Sequence, residues 1–275
     1  MTRAALQSAP ILQARLAEAP WDSPATARLP GTGPVAPGDW LRVDDAYAAQ
    51  MALRDRLLAE RREDVHALAP EAAPAARELL QVVLADLALR TGFRVSSGRV
   101  TRPDRVTVDL DDDAPLVTLG RLVQPDYCIL QRRGTEPEHV MTGAVLCFPA
   151  NWSLAQKFGR PLTAIHDPVP SYTGDLARRV QRLFDAVRPG VPLWRINLLT
   201  YADPDLHQPP RPGTGRSDPG GAAQYLRSER QCISRLPDSD AVIFAIHTTV
   251  VRRDALSAPV QGRLKGYLEN ARDPA

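Results

Sequence analysis

The chain has 275 residues, 44% of them hydrophobic, with 34 basic and 32 acidic side chains. That length supports a sizeable core, in one large domain or two small ones. A net charge of +2 with both signs well mixed gives no electrostatic case for a nucleic-acid or membrane partner. The opening residues lack a continuous apolar run and no stretch approaches a membrane span, so the expectation is a soluble, cytoplasmic protein.

Residues 1–40 are rich in Pro, Gly and Ala and read as an irregular N-terminal segment. Gly31-Thr32-Gly33 hints at a dinucleotide loop, but Ala36 stands at the third glycine position and Pro34 and Pro37 interrupt any helix. From Asp44, Tyr47, Met51, Leu53, Leu57 and Leu58 recur at helical spacing. A second helix is expected from about Glu71 to Arg90, with Leu79, Leu80, Val83, Leu84 and Leu87 on its apolar side and Gly92 ending it. Residues 41–92 therefore form a helical segment packed on the main domain, 93–275. Strands are expected at 105–110, 121–131, 140–148, 191–200, 224–233 and 241–251, with a helix at about 173–187. The last strand is apolar on both faces, as suits a strand covered on both sides. Residues 203–221 form a long Pro/Gly-rich loop of the kind that serves as a lid or stays disordered. Helices followed by an antiparallel-looking sheet argue an α+β fold.

Three features carry chemistry. The first is Cys147 to Pro170, where His166 stands between an apolar run and two prolines. Pro168 and Pro170 fix their own φ and push Asp167 and Val169 toward extended backbone, so the chain leaving His166 is stiff. The same stretch holds Lys157, one of two lysines against 34 basic residues in total, the other being Lys265. The second is Tyr225 to Pro237. In a strand, Arg227, Glu229 and Gln231 share one face and Leu226, Ser228, Arg230 and Cys232 the other. Either this is an exposed edge strand bearing salt bridges, or a carboxylate and a guanidinium converge on a pocket for a polar substrate. The third is Arg195 and Asn197, polar on one face of an otherwise apolar run.

None of the five histidines has a metal-pair spacing, which leaves room for a single axial ligand with a porphyrin supplying the rest. Cys128, Cys147 and Cys232 are widely spaced and without a CxxC pair. They read as reduced buried thiols, not cluster ligands. Hydrolase, P-loop and kinase signatures are absent.

The ordered strings GDWLRVDDAY, RDRLLAERREDVHALAPEA, RLVQPDYCIL, VLCFPANWSLAQKFGRPLTAIHDPVPSY, VPLWRINLL and LRSERQCISRLPDSDAVIFAIHT, from about Gly38 to Leu256, carry a resemblance. The chain resembles the heme-dependent oxidative N-demethylase α-subunit family. The resemblance implies a PAS-like antiparallel sheet enclosing heme b, with an N-terminal helical segment. It also implies oxidation of a small amine by O₂, with electrons from a separate reductase whose flavin and iron–sulfur centres sit on partner proteins. On that footing His166 is the expected iron ligand, and Lys157, Arg160 and Arg195 the partners of the heme propionates. Arg227 and Glu229 are the expected catalytic pair, with Glu229, Asn197 and Tyr127 lining the substrate pocket. The family pattern reads RxNW and QED where this chain has Arg195-Ile196-Asn197-Leu198 and Gln124-Pro125-Asp126, which implies a reshaped pocket. Two other readings stay open: a heme-PAS gas or redox sensor without catalysis, and a structural protein that has lost heme.

Overall fold

A computed structural model describes residues 9–22, 31–166, 174–210 and 223–272, with the side chains of His166, Asp175 and residues 270–272 outside the description. The elements run β1 (Gly33–Pro34), α1 (Tyr47–Glu60), α2 (Arg62–Val65), β2 (His66–Leu68), α3 (Ala73–Leu87), β3 (Arg94–Ser96), β4 (Arg99–Thr101) and β5 (Thr107–Asp109). Then come α4 (Pro115–Leu122), β6 (Asp126–Arg132), β7 (His139–Val145), α5 (Leu154–Lys157), α6 (Leu162–His166) and α7 (Gly174–Ala186). The chain continues through β8 (Leu193–Tyr201), β9 (Tyr225–Arg235), β10 (Val242–Arg252) and α8 (Ala258–Arg272). The fold is α+β. Its main sheet has seven antiparallel strands in the order β1-β8-β9-β10-β6-β7-β2, and β3-β4-β5 form a small second sheet.

Both faces of the main sheet are covered. On one side Leu53, Leu57, Leu79, Leu80, Val83 and Leu87 of α1 and α3 pack with Tyr127, Ile129, Ile243, Ala245 and Cys232. Their spacing of three and four residues gives each helix the single apolar stripe this face requires. On the other side Leu154, Leu162, Ile165 and Phe184 of α5, α6 and α7 meet Cys128, Leu130, Ile233 and Val242. A third cluster joins α8 to Leu198, Leu226 and Val251. Residues 41–92 thus share one continuous core with the sheet.

Where α4 crosses β7, a β-carbon at Gly120 would stand 2.7 Å from Val145 Cγ2 and 2.9 Å from Leu58 Cδ1. Only glycine lets these elements approach so closely.

The structure departs from the sequence expectations in four places. The run 121–131 starts as the end of a helix, because Pro115 opens α4 and Leu116, Leu119 and Leu122 repeat every third residue. Within residues 41–92, expected as a helical segment, His66–Leu68 form a strand, β2, paired with β7. Helix α8 was not anticipated. Finally, β9 is no edge strand: it lies between β8 and β10, with every residue from Leu226 to Ile233 buried. Of the loop 203–221, residues 203–210 are described. Its His207 is buried, with Nδ1 2.8 Å from the Cys147 carbonyl.

Among the described residues no helix is long and apolar enough to cross a membrane.

Candidate functional site

The alternation of β9 builds the site. Arg227, Glu229 and Gln231 project to the side covered by α5–α7, and register sets Leu199, Asn197 and Arg195 of β8 opposite them. Across the other edge stand Val250, Thr248 and Ile246 of β10, and Phe244 of β10 pairs with Cys128 of β6. A polar row therefore runs across three strands on one face.

Glu229 is the centre of that row and is 6% exposed. An ionised carboxylate at such depth costs several kcal/mol unless donors replace water. Three do so. Arg227 Nε donates to Oε1 at 3.2 Å, while Asn197 Nδ2 at 3.3 Å and Gln231 Nε2 at 3.2 Å donate to Oε2. Arg195 Nη1 in turn donates to Gln231 Oε1 at 2.9 Å, fixing which way that amide points. A carboxylate has about four acceptor sites, so one remains for a ligand.

Arg227 is held differently from the sequence expectation. Its Nε goes to Glu229, Nη1 to the Leu206 carbonyl at 3.0 Å and Nη2 to the Phe148 carbonyl. With each nitrogen engaged and 1% exposure, this guanidinium is a brace that orients Glu229. It has no free fork to aim at a bound molecule.

Lys157 ends α5, whose first turn is fixed by a capping box between Ser153 and Gln156. Its Nζ lies 4.0 Å from the Trp152 ring centroid, and it is within electrostatic reach of Cys128 and Glu229. Burial pulls its pKa down to about 8, against smaller upward pulls from Cys128 and Glu229. Burial also lowers the pKa of Arg195, which Glu229 partly offsets.

Lys157, Arg195 and Asn197, which interact with the buried Glu229, are only half-buried, as are Trp152 and Phe244 on the same side of the sheet. Arg195 Nε and Thr248 Oγ1 are buried without a hydrogen-bond partner.

Five expected site residues thus meet on one face: Lys157, Arg195, Asn197, Arg227 and Glu229. Tyr127 does not join them. It pairs with Ala245 and points into the α1–α3 core, fully buried, where burial drives its phenol pKa far up. Arg160 is exposed on the loop between α5 and α6. The backbone of His166 is the last turn of α6, and its side chain lies outside the described residues. Helix α6 itself seats Leu162 and Ile165 on the Glu229 side of the sheet.

Trp152, Cys128, Thr248 and Phe244 were not anticipated on this side of the sheet. Gln231 was legible from the period of two. The others depend on strand register.

Both departures from the family pattern fall elsewhere. Leu198 faces the opposite side and packs with Leu226, Val251 and Leu264. Pro125 is buried beside α1, its carbonyl accepting from Arg54 Nη2 at 3.2 Å. Neither touches the Glu229 row, so neither reshapes it by contact.

Two clefts lie away from this row. One of about 520 Å³ is lined by Arg132, His139, Asp185 and Arg235. The other, about 670 Å³, separates the N-terminal segment from the opposite sheet face and is lined by Arg42, Asp39, Arg230, Glu18 and His247. Their charges are largely spent on one another: Arg42 pairs with Glu18 and Asp39, Arg230 with Glu18 and Asp39, and Arg132 with Asp185.

A family model described as "Haem-dependent oxidative N-demethylase, alpha subunit-like" matches residues 31–273. The chain belongs to that family.

Proposed function

From that membership we propose that this chain binds heme b in a PAS-like sheet and oxidises a small amine there, removing an N-alkyl group. O₂ is the oxidant, and electrons come from a separate flavin and iron–sulfur reductase. The family description, which names an α subunit and heme dependence, supports the coarse reading. The observation that carries the site is Glu229: a buried carboxylate with three fixed donors and spare acceptor capacity, in a half-buried polar row.

The residues present fit a heme. A flat macrocycle needs an apolar slot, cations for its propionates and an axial ligand. Phe244, Trp152 and Phe158 supply half-buried aromatic surface beside the row. Arg195 supplies a guanidinium whose Nε has no hydrogen-bond partner, which suits a propionate. Lys157, beside Trp152, is a second cation on this side, and Arg160, exposed after α5, is a third candidate. His166 ends the helix that covers this face, and we assign it as the iron ligand. When bound, heme would supply oxygen activation.

The chain's own residues bind and orient. Glu229 takes a charge-assisted hydrogen bond from a protonated amine, and Asn197 with Gln231 keeps its carboxylate plane fixed. Arg227 donates to that carboxylate and fixes where it points. The shape of the site follows β8, β9 and β10, which pair continuously along β9.

Amine titrations followed by the Soret band test this. Glu229→Gln keeps the shape and removes the charge. It should weaken amine binding by about 1.5–3 kcal/mol, roughly 10- to 100-fold, with heme content unchanged. Equal affinities in the two proteins would remove Glu229 from the site. His166→Ala should lose heme or alter its spectrum while the fold persists. A wild-type Soret band in that variant would reassign the ligand. Heme binding without any amine response would favour a sensor.

A further inference from the structure

The cleft of about 670 Å³ under the N-terminal segment lies on the sheet face turned away from Glu229, and its volume is that of a small-molecule pocket. Four strand residues line it: Ser228 and Arg230 of β9, and His247 and Thr249 of β10. Register sets Ser228 directly opposite Thr249 and Arg230 directly opposite His247, so the four form one patch. The ions around that patch are already answered. Among the described residues four arginines and four carboxylates line the cleft, and Arg42 and Arg230 share Glu18 and Asp39. One oxygen of Asp44 accepts from His247 Nε2 and Gln13 Nε2. The other accepts from the Ala46 amide and Gln124 Nε2, which fills the carboxylate's acceptor sites.

The uncharged groups are not answered. Ser228 and Thr249 are 4% and 9% exposed, and among the described residues neither hydroxyl has a hydrogen-bond partner. His247 is as deeply buried, and its Nε2 faces the Asp44 carboxylate and so carries a proton. That leaves Nδ1 of the neutral ring as an acceptor, and this atom is buried without a partner. A buried polar atom without a partner bears its desolvation cost in full, so these three groups favour whatever supplies one. A charged ligand has little to gain where cations and carboxylates are equal in number and matched. A hydroxyl both donates and accepts, and so serves an imidazole lone pair and a serine or threonine alike. We propose that this cleft is a second ligand site and that it takes an uncharged polyol of about monosaccharide size, with Ser228, Thr249 and His247 as its hydrogen-bonding floor. The matched ions shape the walls. The site needs neither heme nor amine, so it stands or falls apart from the N-demethylase reading.

The test titrates the full chain with myo-inositol and with glucose by calorimetry. Saturable binding of at least one of them is expected. Thr249→Val keeps the shape and drops the hydroxyl, and Ser228→Ala does the same on the facing strand. Each should weaken binding about five- to tenfold, as the loss of one hydrogen bond does. No saturable heat at about 100 mM, where a millimolar site would be full, would overturn the proposal. So would unchanged affinity in both variants. Competition by inorganic phosphate at equal concentration would also sink it, because the arginines and not the hydroxyls would then be binding.

A second arm uses the wild-type protein alone, so it holds even if a variant fails to fold. With five histidines in the chain, the imidazole region of a nitrogen-15 spectrum is sparse. The polyol should move the ring-nitrogen signals of His247, identified by their loss in His247→Gln. Binding that leaves those signals in place would put the polyol elsewhere and overturn the proposal. Failure of the N-demethylase reading would appear separately, as a protein with no Soret band or no amine response.

Discussion

The two faces of the main sheet handle buried charge in opposite ways. Toward α1 and α3, cations are matched with carboxylates. Arg230 meets Glu18 at 3.3 Å and Asp39 at 3.1 Å, and its guanidinium lies over the Trp194 ring. His247 Nε2 meets Asp44 at 2.9 Å. At the strand ends Arg54, fully buried, meets Asp126 at 2.6 Å and three backbone carbonyls. Toward α5–α7 the pairing is incomplete. Glu229 is held by one guanidinium and two neutral amides, while Arg195 and Lys157 have no carboxylate at ion-pair distance among the described residues. Closed charge accounts on one face mark structure, and open ones on the other mark a place for a ligand.

That contrast can be broken experimentally. The largest effect should come from Asp126→Ala, which strands Arg54 in the core and also removes the acceptor of the Cys147 and Phe148 amides. A loss of about 3–5 kcal/mol in denaturant unfolding is expected for breaking a buried pair. A loss below 1 kcal/mol would mean that water reaches this pair.

Next comes the acid response of Asp44. Burial raises its pKa, but hydrogen bonds from His247, Gln124 and Gln13 outweigh this and bring it from 3.8 down to about 2. A carboxyl lowered on folding stabilises the protein above its unfolded pKa, and the stability is lost as pH falls through the folded value. Asp44 should therefore contribute about 2 kcal/mol at neutral pH, fading between about pH 4 and pH 2. Asp44→Asn should flatten the unfolding free energy across that window. An unchanged slope would show that the His247 contact is energetically empty.

The smallest effect separates the faces most sharply. Leu198→Trp introduces, on the side away from Glu229, the tryptophan that the resemblance leads one to expect. Overpacking against Leu226, Val251 and Leu264 should cost on the order of 1 kcal/mol. Amine affinity should not move. A change in amine selectivity would mean that the two faces communicate through the strand.

How much of this could be read from the chain depended on the range of the interaction. The alternation of Arg227, Glu229 and Gln231 against Ser228, Arg230 and Cys232 is local, so it was legible and held. That β9 is central was not, because the partners that bury it, Asn197 and Thr248, lie 32 and 19 positions away and reach it through register. Tyr127 was misplaced for a related reason. In β6 five successive residues are buried, so a period of two gives no sign of which face is which. Helix α4 was hidden in an apolar run too short for its period to separate helix from strand. The roles of Arg227 shifted because backbone carbonyls of Leu206 and Phe148, invisible in side-chain patterns, complete its shell.

The alternating charges of β9 also act as a reading frame. A slip of one residue against β8 and β10 would turn Arg230 toward the Cys128 side and Glu229 toward the α1–α3 core. It would sever the contacts to Glu18 and Asp39 on one side and to Arg227, Asn197 and Gln231 on the other. A strand with apolar residues on both faces pays little for such a slip, since either frame buries grease. Here every frame but one leaves buried ions unanswered, so the residues that equip the pocket also proofread the assembly of the sheet around it.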